Sequence, residues 1–552
     1  MMVGNSGVRA DLHGCADLAA LGGPATQRLE VLLRLAASRL DEPMRVAVVG
    51  QIKRGKSTLV NALLGEDVSA TGDAEVTYTV TELFHSGEPV LIVRYKDGSE
   101  EAVPLDHFDR VTSHDERNLA VLRQIRTVLH GRDNPLLRSF RLIDTPGLAS
   151  VHGADSDNTA AQLGITSFGI GDEAAAGRSM QDVHDDSEEE IGKADAVLYL
   201  FSRGLHEKDQ AAALDVAGSL AGSVTPLKSF GVLSRCDQQW PPSPELPGDP
   251  DPLTFDPMAV SQEIAEKYLA RPDVGRLFYT IVPVAGLVGA GAQTLSGNDF
   301  ADLADLAAIE PRTLVRRLRD AGRFATRPEL AGVALPVERR ASLERRLSVW
   351  GILRACTHLR EGLGEAQVRE QLVIDSGVHR LRALITEHFG NRAAVIKLDH
   401  GLRSVTGEIA AVRRAAQQTG AAPAPQVAEV AARIERVRRG QHAFAEMSVL
   451  AEHYLGRIGF SPEEVADLLR VTGEYGVSCA ARLGLPDATP VAELDAAASA
   501  RISAWARREQ DPMLDRHTAR AAYTVRRSYE RVAFRVRRAA ALLGGGDEFE
   551  EA

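Results

Sequence analysis

The chain of 552 residues is too long for a single hydrophobic core, and its 44 % hydrophobic and 25 % charged content is that of an ordinary water-soluble protein. A formal net charge of −12 excludes bulk electrostatic binding of nucleic acid. The four cysteines, Cys15, Cys236, Cys356 and Cys479, are far apart and form no C-x-x-C pair, which argues for a reducing cytosol and against a disulfide framework or zinc site.

The start of the chain carries no basic segment followed by an apolar run, so no signal peptide is expected. No window reaches the roughly 18 apolar residues that a spanning helix needs. The expected location is therefore the cytoplasm, with any membrane contact peripheral, on the inner face of the cell membrane. Met1 to Gly23 read as loose. Pro24 to Leu40 reads as an amphipathic helix with Leu29, Leu32, Ala36 and Leu40 on one face, stopped by Asp41-Glu42-Pro43.

The most informative stretch follows, Val46 to Gly65, VAVVGQIKRGKSTLVNALLG. A β-branched run ends in Gly50, and a helix is predicted from about Lys56. Gly50-Gln51-Ile52-Lys53-Arg54-Gly55-Lys56-Ser57 fits G-x-x-x-x-G-K-[ST] at every fixed position. Gly55 lets backbone approach phosphate, and the N–H groups at the helix start make an anion nest. Lys56 is expected to reach the β- and γ-phosphates and the Ser57 hydroxyl to ligate Mg²⁺, with Thr58 completing the nucleotide-binding set. A helix ahead of such a site, as at Leu29–Leu40, needs a partner elsewhere in the chain.

A polar loop, Ser69 to Thr79, precedes two predicted strands, Val80 to Phe84 and Val90 to Tyr95, joined as a hairpin by Ser86-Gly87-Glu88-Pro89. GTPases hold Mg²⁺ and sense the γ-phosphate with a threonine of such a loop. Thr77, Thr79 and Thr81 compete, and Thr77 is preferred because the other two merge into the strand. Phe140 to Ile143 is a short strand ending in Asp144-Thr145-Pro146-Gly147, where Asp144 can bind the metal through water and the Gly147 N–H can meet the γ-phosphate. Leu148 follows, so no glutamine there orients the attacking water.

Val151 to Lys193 is polar and most acidic at Asp185 to Glu190; it matches no calcium loop and reads as a solvated switch region. Ala196 to Phe201 reads as a buried parallel strand. Phe230 to Leu233 is another, ending in Ser234-Arg235-Cys236-Asp237 where a GTPase carries [NT]-K-x-D. Asp237 would accept from guanine N1–H and the 2-amino group while the Arg235 stem covers the base. Serine for Asn/Thr and arginine for Lys leave the strictness of guanine choice open. Thr280 to Gly286 is the last strand and turn, where backbone N–H groups around Val284 and Ala285 are candidates for the base carbonyl.

From about Arg340 the chain turns helical throughout. Val395, Leu398, Leu402, Val405, Ile409 and Val412 alternate spacings of three and four, a heptad seam. Ala421 to Pro425 breaks it, and Val427, Val430, Ile434 and Val437, then Val525, Tyr529, Val532 and Val536, resume the pattern. An antiparallel bundle results, the natural partner for the Leu29–Leu40 helix. Arg526, Arg527, Arg531, Arg535, Arg537 and Arg538 put a basic stripe on the last helix. It reads as a solvated face paired with acidic neighbours, with anionic lipid, at about 1 kcal/mol per basic residue, as the sharper alternative.

This order of motifs resembles the dynamin superfamily, and among bacterial dynamin-like GTPases the isoniazid-inducible actinobacterial branch. The resemblance is carried by Gly50 to Gly65, Asp144 to Leu148, Ala196 to Phe201 and Leu233 to Asp237, within roughly Met44 to Gly289. It implies an α/β P-loop GTPase domain over residues 43–340, doubly wound with a mostly parallel sheet. A helical bundle (neck and trunk) would occupy 341–552, with residues 1–42 packing on it. It implies Mg²⁺-dependent GTP hydrolysis stimulated by pairing of GTPase domains into a homodimer or higher assembly. The bundle would then move with nucleotide state to remodel or tether membrane; a soluble switch whose bundle binds protein partners is the alternative. Eukaryotic dynamins carry Gln-Ser at the positions of Ile52 and Lys53, where the serine helps hold a charge-compensating monovalent cation. Lys53 is expected to supply that charge in cis, which places it beside Lys56, Thr77 and Gly147 as catalytic. The short apolar Tyr454 to Phe460 reads as a helix junction, not a membrane tip.

Overall fold

The computed structural model describes residues 2–50, 54–69, 79–112, 122, 124–146, 193–202, 226–243, 248–420, 422–454 and 456–544. Contacts divide the chain into two compact units, one of Arg45–Val224 and Ser229–Ala383, the other of Met1–Met44, Thr225–Lys228 and Leu384–Ala552. The first is α/β, built on a mostly parallel sheet, and the second is helical.

The sheet strands are β1 (Met44–Gly50), β2 (Val80–His85), β3 (Val90–Tyr95), β4 (Glu100–Val103), β5 (Ile125–Arg132), β6 (Phe140–Asp144), β7 (Ala196–Ser202), β8 (Ser229–Ser234) and β9 (Thr280–Val284). They lie side by side in the order β4-β3-β5-β2-β6-β1-β7-β8-β9. Pairs β1–β7, β7–β8, β8–β9 and β2–β5 are parallel; β2–β6, β3–β4 and β3–β5 are antiparallel. Every residue of β7 is buried, as its continuous apolar run requires of a central parallel strand. Ala47, Val49, Val197, Tyr199, Phe201, Leu233 and Ile281 form the core of one face.

The expected hairpin of β2 with β3 does not form. β5 lies between them, parallel to β2 and antiparallel to β3, and the hairpin is instead β3 with β4 across Asp97-Gly98, where Gly98 has φ 88°. An Asp-Gly pair between strand-forming residues is the stronger turn signal, because its left-handed backbone matches strand twist.

Beyond β9 the helices Gly286–Thr294, Gly297–Ala307, Val337–Arg360 and Glu365–Asp375 share one core, in which Val288 and Leu303 meet Leu347, Trp350, Cys356 and Leu372. This is why the change of unit falls at Ala383/Leu384 and not near Arg340: the apolar residues of Val337–Arg360 are used up within the sheet unit.

In the helical unit, Met1 to Gly23 depart from the loose segment expected: Met2–Ala20 is a helix burying Val8, Leu12, Cys15, Ala16 and Ala19. The spacing is helical, but most of these side chains are small and the intervening Gly and Asn are weak helix formers. A 3₁₀ turn, Gly23–Thr26, and the helix Gln27–Ser38 follow; Leu29, Leu33 and Ala36 pack with Leu402, Val405 and Ile409 of Gly390–Gln418 and with Val427, Val430 and Ile434 of Pro425–Gly440. Val525, Tyr529, Val532 and Val536 are buried on the helix Arg516–Gly544. Near Tyr454, where a helix ends, Phe460 packs its ring 5.1 Å from that of Trp505. No helix among the described residues is long and apolar enough to cross a membrane.

Candidate functional site

Register places the strand ends on one line. Gly50 of β1 is level with Leu200 of β7, Ser202 of β7 with Ser234 of β8, and Ser234 with Val284 of β9. The carboxyl ends of these strands therefore finish along one edge of the sheet, where ligands of open α/β sheets bind. At that edge Gly50 is obligatory, since a Cβ there would stand 2.6 Å from the Leu200 carbonyl oxygen. Gly55, at φ 87°, makes the left-handed turn into the helix Lys56–Leu64.

Lys56 is buried and donates to the Gly50 carbonyl at 3.1 Å. Burial drives its pKa from 10.5 down to about 8, while the nearby Asp144 carboxylate works in the opposite direction. Asp144 ends β6, 1 % exposed, and its pKa is raised by burial against the pull of Lys56, Ser57 and Ser69. Ser57 Oγ donates to Asp144 Oδ2 at 2.9 Å. Thr145 Oγ1 donates to the Val48 carbonyl at 2.8 Å, which fastens the D-T-P-G turn to β1. Asp144 Oδ1 is sealed from solvent and has no hydrogen-bond partner among the described residues. The result is a lysine, a hydroxyl and a half-satisfied carboxylate gathered at the N-terminus of one helix. Such a set can hold a polyanion and a hard cation together.

At the other end of the edge, Ser234 Oγ donates to the Arg54 carbonyl at 2.9 Å and Arg54 in turn bonds Ser202, so β7 and β8 are both tied to Arg54. Arg235 has left-handed φ 59° and is exposed, while Asp237, in the 3₁₀ turn Cys236–Gln239, is 4 % exposed with its pKa raised by burial. Val284 is buried, and the Ala285 N–H donates to the Ser376 carbonyl at 2.9 Å. Of the two backbone groups expected to face a base carbonyl, Ala285's is thus already engaged.

Thr58 stands half-buried in the first turn of the helix. Thr79 and Thr81 are buried; Thr79 Oγ1 donates to the Val111 carbonyl at 3.0 Å, and Thr81 pairs in register with Asp144. Gln51, Ile52, Lys53, Thr77, Gly147, Leu148 and the acidic stretch Asp185 to Glu190 lie outside the described residues. Sequence reasoning missed Asn61, whose Oδ1 accepts from Val68 N at 3.0 Å and Ser69 N at 2.8 Å, pinning the chain where the polar loop begins. An asparagine in the middle of a helix next to a glycine-ended turn was the available signal.

A dynamin-family profile matches residues 46–216. Isoniazid-induced protein IniC of Mycobacterium tuberculosis is 30 % identical over 529 residues, 95 % of this chain and 97 % of that protein. Isoniazid-induced protein IniA of the same organism is 32 % identical over 146 residues, 25 % of this chain and 22 % of its own. Dynamin-like protein 2 of Campylobacter jejuni is 35 % identical over 124 residues, 22 % of this chain and 20 % of its own. A solved oligomerised bacterial dynamin pair covers 98 % of this chain and 76 % of the matched one, at 12 % identity and TM-score 0.29, too loose a likeness to carry an argument.

Proposed function

We propose, from the premise that this chain belongs to the dynamin family and is a GTPase, that Mg²⁺-dependent hydrolysis drives its helical unit to remodel or tether membrane. The observation that carries the chemical part is the contact of Ser57 with Asp144 beside buried Lys56. In this reading Gly50 to Thr58 cradle the phosphates, Lys56 meets the β- and γ-oxygens, and Ser57, Thr77 and, through water, Asp144 hold the metal. The idle Asp144 Oδ1 fits that assignment, being a hard oxygen donor without a protein partner among the described residues. Bound Mg²⁺ supplies charge neutralisation on the phosphate oxygens. Gly147 offers its N–H to the γ-phosphate and Lys53 adds positive charge in cis. Asp237 reads guanine, with Ser234 and Arg235 framing the base and Val284 and Ala285 bordering it.

Family membership supports the membrane part and the stimulation of turnover by pairing of GTPase domains. One observation favours the soluble switch that binds protein partners. Arg526, Arg527 and Arg537 of the basic stripe are answered by Glu509, Glu530 and Asp495, which leaves less charge for lipid. Co-sedimentation with anionic liposomes, with and without a non-hydrolysable GTP analogue, separates the two readings. Analogue-dependent pelleting is expected; no pelleting in either state leaves the soluble switch.

A further inference from the structure

The helix Val337–Arg360 is interrupted at Ser348, whose φ of 57° and ψ of 170° belong to a region that residues with a Cβ rarely enter. Buried Leu347 and Val349 hold it on either side. A serine inside a regular helix ordinarily satisfies its hydroxyl on the carbonyl four residues back. This one does not: its Oγ is sealed from solvent and completes no hydrogen bond among the described residues.

The helix packs against the 3₁₀ turn Cys236–Gln239 that carries Asp237, which makes the Asp237 carboxyl a neighbour of this hydroxyl. Burial is the largest influence on that group and raises its pKa. Of the influences that lower it, the Ser348 hydroxyl comes first, ahead of the backbone and of Arg235. No formed hydrogen bond joins the two groups. A strained backbone and an idle hydroxyl thus converge on one carboxylate.

A carboxylate that accepts two parallel N–H donors must turn both oxygens into the plane of the base, and the aspartate χ2 torsion alone is broad. A hydroxyl on a remaining lone pair selects one setting. We propose that Ser348 is a positioning residue for base recognition, its hydroxyl setting the Asp237 carboxylate in the orientation that takes guanine N1–H and the 2-amino group together. This rests on Asp237 being the base-reading carboxylate.

The full-length protein tests this through its affinities for GDP and for inosine diphosphate, which lacks the 2-amino group, measured by calorimetry. Ser348→Ala removes the hydroxyl and keeps the strained backbone. Ser348→Gly removes the hydroxyl and relaxes the backbone, so it reads the loss of the hydroxyl without the strain. Both are expected to weaken GDP several-fold, less than a full hydrogen bond to a charged group would, and inosine diphosphate by a smaller factor, so that the preference between them narrows. An unchanged preference in Ser348→Gly makes Ser348 a mere helix break and overturns the proposal. Asp237→Asn separates the premise: it is expected to gain affinity for xanthosine diphosphate. If it does and the Ser348 variants keep the wild-type preference, only the proposal fails; if it does not, the reading of Asp237 fails and takes the proposal with it.

Discussion

Two aspartates stand at the same edge of one sheet, 1 % and 4 % exposed, and burial raises the pKa of both, yet the chain answers them differently. Asp144 has a full positive charge beside it in Lys56, then Ser57 and Ser69. Asp237 has a hydroxyl, its own backbone and, last, exposed Arg235. A buried charge needs a partner, and one end of the site carries that partner in the protein while the other leaves it to be brought. On the proposed reading the first is the phosphate end, assembled in advance to anchor any nucleoside polyphosphate. The second would be the base end, which is short of donors and would gain most from a ligand that supplies two N–H groups. In the reading proposed above, anchoring and discrimination fall at opposite ends of the edge.

Lys56→Ala breaks the phosphate end most directly, because it removes the cation from the phosphates and strands Asp144. A loss in kcat/KM on the order of 10²- to 10³-fold is expected, with residual nucleotide binding still preferring guanine over adenine. A loss of less than tenfold in steady-state turnover would sink the division of labour. Asp237→Asn breaks the other end: GTP affinity should fall on the order of 10²-fold, two charge-assisted hydrogen bonds' worth, while xanthosine triphosphate is bound in its place. Competition by ATP at affinity comparable to GTP in the wild-type protein would show that no discrimination exists to be broken. Lys53→Ala is a gentler probe of the phosphate end. Turnover should drop several-fold and become dependent on potassium, as expected when one of several charges around a phosphoryl group is removed; a potassium titration that matches wild type refutes the role.

The glycine turn ahead of Lys56 was legible in the sequence because its geometry leaves the backbone little freedom. Gly50 must be glycine where the Leu200 carbonyl oxygen stands 2.6 Å from its would-be Cβ, and Gly55 must turn left-handed into the helix. β7 was legible for a similar reason, since a strand buried on both faces has no room for polar residues. What failed was long-range. Val80–His85 and Val90–Tyr95 announce strands, but nothing within them says that Ile125–Arg132 inserts between, because pairing is decided by distant segments. The Met2–Ala20 helix was hidden by small residues whose burial only tertiary packing reveals. Ser348 had no local signal at all, a serine among helix formers whose meaning lies in a residue more than a hundred positions away.

The gentlest perturbation, a change of pH, also distinguishes the two ends. In the nucleotide-free protein the Lys56 ammonium has its pKa pushed down to about 8 by burial, from 10.5, against the pull of Asp144. An unfolded chain keeps that proton up to its ordinary pKa. Between about pH 8 and 10.5 the unfolded state therefore holds more protons, and the stability of the free protein gains from Lys56 as pH rises through that window. Nucleotide binding has the opposite sign. Phosphate oxygens favour the ammonium, so the bound protein holds the proton to higher pH and binding takes one up. GDP affinity should then fall with rising pH above about 8, by at most about tenfold per pH unit. Calorimetry at about pH 9 in buffers of different ionisation heat reads this as proton uptake on binding, nearly absent at about pH 7. Asp237→Asn should leave the uptake intact, since it alters only the base end. If the uptake is missing in the wild-type protein, Lys56 is not the buried, pre-placed cation that separates the phosphate end from the base end.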